Sequence, residues 1–148
     1  MTSGIGKSIR ISLGDKILAQ FPEELAEIAV TIEKSRYILG LEKDFDGMKS
    51  EPPSPETWQK TVRFVADYAN WLFDLFGKKM AVPKIYHGPA GSMDVYWENE
   101  RFNLLINIPP GEEPATFYGD NYQGQVTEGR FDPENFQQAL LPDLSLIS

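Results

Sequence analysis

The 148-residue chain has no cysteine, which removes disulfides, thiolate nucleophiles, iron–sulfur clusters and thiolate zinc sites together. It has one histidine, His87, so a zinc site would have to be built from carboxylates, an unusual ligand set. No apolar run approaches the roughly 18 residues that span a bilayer, and no membrane partner is expected. The N-terminal stretch carries Lys7 and Arg10 without the apolar segment and small-residue cleavage pattern of a secretory signal, so the expected location is cytoplasmic. Basic residues are scarce as well: 14 Lys and Arg stand against 22 Asp and Glu, for a net charge of −8. A surface of that sign repels phosphate backbones and argues against direct binding of nucleic acid.

The negative charge is unevenly spread. Residues 1–82 hold 11 basic and 12 acidic side chains, whereas residues 83–148 hold 3 and 10, giving −1 and −7. The length suits one domain over 1–148 with a single core, and the hydrophobic patterning changes where the charge does. Up to about residue 80 the apolar spacing is mostly helical, and from 83 to about 131 it alternates.

In the first half, Ile9, Ile11 and Leu13 alternate with polar residues as in a short strand that Gly14-Asp15 ends. Pro22-Glu23-Glu24 suits the first turn of a helix, where proline needs no N–H partner and carboxylates face the positive end of the dipole. Leu25, Ile28, Ala29, Ile32 and Leu39 then share one face, so a helix is predicted over 22–39 with Gly40 as its cap. Residues 40–53 read as a loop. Ser54 and Pro55 start a second helix, whose stripe of Trp58, Val62, Val65, Ala69, Leu72 and Phe76 ends at Gly77.

In the second half, strands are expected near Lys84–His87, from Ser92 to Glu98, from Phe102 to Ile108, at Ala115–Tyr118 and at Gln125–Phe131. A two-residue turn at Asn99-Glu100 would set Glu98 opposite Arg101, Trp97 opposite Phe102, Val95 opposite Leu104 and Met93 opposite Ile106. Asp132-Pro133-Glu134 has the form of a helix start, giving a short C-terminal helix over about 133–141. The fold class that follows is α+β: N-terminal helices (about 15–80) packed on one face of a C-terminal antiparallel meander of four to five strands, whose other face meets water or a partner.

Several short runs resemble motifs that carry chemistry. Gly6-Lys7-Ser8 has the ending of a phosphate-binding loop, but Met1 stands where its first glycine is needed and no strand can precede it. Glu42, Asp44, Asp46 and Gly47 match the first half of a calcium loop, but Pro53 replaces the bidentate glutamate and Lys49 adds a positive charge. His87 could transfer protons only if folding brought a carboxylate or nucleophile beside it. Asp94, Glu98, Glu100, Asp120 and Glu128 could furnish a hydrolytic carboxylate pair, but their spacing singles out none, and they equally suit the polar face of a half-exposed sheet. Tyr96 should share the outward face with Asp94 and Glu98, and Tyr118 and Tyr122 flank the Asp120-Asn121 turn. Tyrosines among carboxylates suit protein binding, because a rigid ring buries area at small entropic cost and a carboxylate accepts a basic anchor.

The runs Pro83-Lys84-Ile85-Tyr86, Gly88-Pro89-Ala90-Gly91-Ser92-Met93-Asp94-Val95-Tyr96-Trp97, Leu104-Leu105-Ile106-Asn107-Ile108 and Ala115-Thr116-Phe117-Tyr118-Gly119-Asp120-Asn121 resemble a pattern in small uncharacterised prokaryotic α+β proteins. That resemblance brings no activity, cofactor or catalytic residue. The functional expectation is therefore a non-enzymatic acidic interaction module, such as an inhibitor, an immunity or antitoxin-like protein, or an assembly factor. It would bind a basic protein through Asp94, Tyr96, Glu98, Tyr118, Asp120, Tyr122 and Glu128, with no cofactor, no metal ligand and no catalytic residue assigned. The alternatives are a small carboxylate-dependent hydrolase, which needs a deep pocket holding two carboxylates, and a carbohydrate-binding module, which needs exposed coplanar rings.

Overall fold

The computed structural model describes residues 9–43, 45–47 and 51–135. Among these lie seven strands in two antiparallel sheets, together with two α-helices. A two-stranded ribbon joins β1 (Ile9–Leu13) to β2 (Lys16–Phe21). Helix α1 (Ala26–Lys34) and helix α2 (Pro55–Phe76) follow, and then β3 (Lys84–His87), β4 (Met93–Glu98), β5 (Asn103–Ile108), β6 (Ala115–Asp120) and β7 (Val126–Phe131) pair in chain order. The expected α+β class and antiparallel sheet are both present. Among the described residues no helix is long and apolar enough to cross a membrane.

Helix α2 follows its sequence signals closely. Ser54 Oγ accepts the N–H of Thr57, Pro55 occupies the first helical position, and Gly77 adopts the left-handed conformation (φ 64°) that only glycine enters at no steric cost. The N–H of Gly77 bonds to Phe73 O and that of Lys78 to Leu72 O, which closes the last turn of the helix. Trp58, Val62, Val65, Ala69 and Leu72 are buried, as the stripe requires, whereas Phe76 at its end is 57% exposed and stacks its edge with Trp71 instead. The buried residues of the stripe join Phe21, Ile28 and Ile32 from the ribbon and α1, and Val95, Trp97, Leu104 and Ile106 from the sheet, in one apolar cluster. Phe64 of α2 meets Phe131 of β7 with ring centroids 5.4 Å apart.

The helix predicted over 22–39 needs correction. Pro22 is extended, Glu23–Leu25 is a 3-10 turn, the α-helix runs from Ala26 to Lys34, and Ser35–Gly40 is again 3-10. The second tightening has a visible cause. Ser35 Oγ donates to Ile32 O at 2.6 Å and accepts the indole N–H of the buried Trp58 at 2.9 Å, so the turn is fixed by a side chain from α2. Arg36 closes the same corner, donating to Ser12 O and lying 4.9 Å over the Trp58 ring.

Strand β2 lies inside the stretch 15–80 expected to be helical, which is a correction. The register explains why the sequence conceals it: Ile11 faces Ala19 but Ser12 faces Ile17, leaving Leu18 as an extra residue. This bulge breaks the period of two, so Leu18 and Ala19 are both buried while Ile17 is exposed, and no alternation is legible.

The β4–β5 turn is also corrected. Trp97 faces Leu104, Val95 faces Ile106 and Met93 faces Ile108, two residues away from the expected pairing. The connection is a four-residue turn, Asn99 to Phe102, in which Asn99 N donates to Phe102 O while Asn99 Oδ1 accepts the N–H groups of Arg101 and Phe102. A two-residue shift preserves side-chain parity, so the apolar set still faces inward. Phe102 is buried as expected, but over Gly119 rather than opposite Trp97. β6 accordingly continues through Gly119 to Asp120, where the sequence suggested a turn. Asp132–Asn135 forms a turn closed by Asn135 N to Asp132 O, and the remainder of the helix expected over 133–141 lies outside the described residues.

Candidate binding face

Strand pairing sorts the five-stranded sheet into two faces. Inward lie Met93, Val95, Trp97, Leu104, Ile106, Ile108, Ala115 and Phe131, all buried. Outward, the row through the sheet centre reads Lys84, Tyr96, Leu105, Tyr118, Glu128, one residue from each strand. A second row reads Tyr86, Asp94, Asn107, Thr116, Arg130. The third reads Glu98, Asn103, Asp120, Val126. Tyr86, Tyr118, Tyr122 and Val126 are 37%, 43%, 50% and 48% exposed, an unusual density of ring and apolar surface for a face turned to water.

Six of the seven residues expected to bind a partner belong to these rows, and the seventh, Tyr122, leans onto them. The phenol of Tyr122 accepts the Asn103 amide at 3.1 Å, and its backbone N–H donates to Asp120 Oδ1 at 2.8 Å. The backbone of Tyr122 is left-handed (φ 61°), a costly conformation for an aromatic residue that these two bonds help to hold. Glu128 stands opposite Tyr118, and Asp120 and Glu98 flank Asn103.

The carboxylates are less free than the sequence suggested. Glu98 accepts the Tyr96 hydroxyl at 2.6 Å. That bond, with burial and the adjacent charge, pushes the Tyr96 phenol up to about 12. Burial, and then the negative charge of Asp94, raise the Tyr86 phenol as well. Asp94 accepts the Asn107 amide at 2.8 Å, and the same nitrogen donates to Ser92 Oγ, whose hydrogen bonds to Pro89 O. This chain of bonds pins the Gly88–Ser92 turn to the sheet. Ser92 is buried and serves a backbone carbonyl, which suits a structural hydroxyl rather than a nucleophile.

Sequence reasoning missed Tyr86, Asn103, Leu105, Asn107 and Arg130 as members of the face. The signal was available: once Met93, Val95 and Trp97 point inward, parity sends Asn103, Leu105 and Asn107 outward in any register that buries Leu104 and Ile106. The acidity of the second half is also not gathered here. The outward rows hold Asp94, Glu98, Asp120 and Glu128 with Lys84 and Arg130. Glu112, Glu113, Asp132 and Glu134 line a separate groove of about 770 Å³ beside Lys16, Lys60 and Arg63 at the start of α2. Lys60 donates to Gly111 O and so braces the loop beside the groove, while Lys16 donates to Gln59 Oε1 and ties β2 to α2.

His87 sits at the end of β3, opposite Met93. Its Nδ1 lies 3.0 Å from the Tyr37 hydroxyl, and the edge of the Phe45 ring packs 4.9 Å from it. Its described partners are thus a phenol and an aromatic ring. In the calcium-like loop, Asp44 lies outside the described residues, and among those described no three His, Asp or Glu side chains gather as metal ligands.

No protein-family model matches this chain, and no match is found among curated proteins or solved structures.

Proposed function

We propose that the chain is a non-enzymatic interaction module that docks a basic protein on the outward face of its five-stranded sheet, with the helices covering the inward face. The observation that carries this reading is the central row, in which Tyr96, Leu105 and Tyr118 lie side by side between Lys84 and Glu128. An apolar, ring-bearing strip rimmed by charge has the anatomy of a protein interface, where aromatic anchors supply most of the affinity and rim charges supply orientation. Glu98, Asp120 and Glu128 would receive Lys or Arg side chains of the partner. An inhibitor, an immunity or antitoxin-like protein, and an assembly factor all work this way, holding a target by surface complementarity alone.

The test is cross-linking and affinity capture from the source cells, with parallel captures by Tyr118→Ala and by the remote control Lys16→Ala. A partner contacting the face should be cross-linked to β4–β6, and its affinity should fall about 30-fold or more with Tyr118→Ala. It should weaken with added salt, because rim charges are screened over about 10 Å at 0.1 M ionic strength. A partner that Tyr118→Ala leaves untouched would place the binding surface elsewhere.

A further inference from the structure

Among the described residues strand β7 is the last in the sheet, paired with β6 on one side and with no strand on the other. Val126, Thr127, Glu128 and Arg130 are exposed whichever way their side chains point, and the inward side closes over toward the buried Phe131. The other sheet margin differs: the end of β3 carries His87 in contact with Tyr37 and Phe45. An open edge is a row of unpaired N–H and C=O groups that invites another strand.

The outward-pointing groups of that edge can be named. Asn121 N donates to Gln125 O at the mouth of the β6–β7 hairpin. Hydrogen-bonded pairs alternate along an antiparallel ladder, so Thr127, Gly129 and Phe131 bond to β6, and Val126, Glu128 and Arg130 aim their N–H and C=O away from the sheet.

We propose that β7 pairs antiparallel with β7 of a second copy of this chain, about a two-fold axis through Gly129, joining two five-stranded sheets into one. The side chains select that register. With the axis at Gly129, Glu128 of each copy faces Arg130 of the other on the outward side, and the same two residues exchange backbone hydrogen bonds. Moving the axis to Glu128 would set two carboxylates face to face, which is unfavourable. Gly129 falls in the closely spaced, non-bonded position of the ladder, where Cα atoms come within about 4.5 Å. Its inward side is already filled by its own Phe117 ring, which lies 2.9 Å from where a Cβ would be, so nothing projects at the axis. Edge strands are commonly guarded by charge. Here the guard has opposite signs two residues apart, so it repels most strands and complements itself. The symmetry is that of a closed, isologous dimer, and it sets the tyrosine rows of both copies on one continuous side.

Sedimentation equilibrium of the full chain from about 1 µM to about 500 µM measures the association directly. The parent should be a dimer in reversible exchange. Glu128→Arg alone and Arg130→Glu alone each place like charges across the axis and should weaken self-association about tenfold or more. Mixing the two single variants should restore a one-to-one dimer, because every cross-axis pair is then opposite in sign, and the double variant E128R/R130E should self-associate like the parent. Hydrogen exchange should show the amides of Glu128 and Arg130 slowing with concentration while those of Thr127 and Gly129 stay protected throughout. A parent that remains monomeric over the whole range, single variants that dimerise as well as the parent, or a mixture that fails to associate would each overturn the proposal.

Discussion

Replacing Gly119 with alanine would put a methyl carbon 2.8 Å from Cζ of Phe102, with Asn103 O at 3.4 Å and Leu104 Cδ1 at 3.5 Å. Carbon atoms rest about 3.5–4.0 Å apart, so the ring would have to retreat by roughly 1 Å. Phe102 is only 6% exposed and is held at its backbone by the Asn99 side chain, which leaves it little room to turn away. Overpacking of this kind costs about 1–3 kcal/mol. Alanine returns about 0.4–1 kcal/mol by restricting the unfolded chain. The net expectation is a loss of about 1–2 kcal/mol in urea unfolding followed by tryptophan fluorescence, with the slope of the transition unchanged. Trimming the ring should recover part of that loss, so Phe102→Leu should cost less in the Gly119→Ala background than in the parent, with a coupling of about 0.5 kcal/mol or more. Strict additivity, or a Gly119→Ala variant as stable as the parent, would show that the ring does not lock this corner.

Three further outcomes follow from local geometry. The Tyr96 phenol, with its pKa raised to about 12 by Glu98, burial and the Glu98 charge, should keep its proton in the folded state while the unfolded chain loses it near 10. The stability this provides is present below pH 10 and is lost as the pH rises toward 12, and Glu98→Ala should bring the transition seen in ultraviolet titration down toward the usual tyrosine range. Gly88→Ala would bring a Cβ within 2.5 Å of Ser92 Oγ and 2.9 Å of Asp94 Oδ1, so a loss of about 1–3 kcal/mol is expected from thermal unfolding, and an unchanged melting temperature would refute the close packing of that turn. Ser54→Ala should cost about 1 kcal/mol by circular dichroism melting, because the Thr57 N–H loses its acceptor while Pro55 still starts the helix.

How much of this was legible in the chain depended on whether the deciding interaction was local. Helix α2 was readable because its cap, its proline and its terminal glycine all lie in or directly beside the helix itself. Side-chain parity in β4 and β5 was readable because a one-residue slip would bury Asp94 and Asn107 and expose Trp97. Register was not, because two registers that differ by two residues bury the same set. The choice between them lies with Asn99, whose carboxamide wraps a four-residue turn, and with Gly119, a residue 17 positions after Phe102 that leaves space for its ring. β2 was hidden for a related reason: its bulge at Leu18 satisfies the core in space while breaking the pattern in sequence. Of the binding face, the residues on β4 and β6, and Leu105 by parity, could be read from composition and alternation, whereas placing Tyr86 beside them required the order of the strands.

The two faces of the sheet make opposite use of the same residue type. On the inner side the aromatic rings replace missing side chains, Phe102 over Gly119 and Phe117 over Gly129, so packing there is set by shape and tolerates little change. On the outer side the rings stand beside polar groups that hold them without covering them. Tyr96 is tied to Glu98 and Tyr122 to Asn103, leaving Tyr118 with open surface beside the half-buried Leu105. Tethering a ring by its hydroxyl fixes its direction before any partner arrives, which lowers the entropic cost of docking on it. The carboxylates that looked like charge for steering therefore serve first as supports for the face, and in the proposed binding role the net charge of the sheet half would act at longer range. If so, Glu98→Gln and Asn103→Ala should weaken binding mainly by faster dissociation, while adding salt should act mainly on the association rate. Stopped-flow measurements with the isolated partner separate the two, and a Glu98→Gln variant that changed only the association rate would return the carboxylate to a steering role.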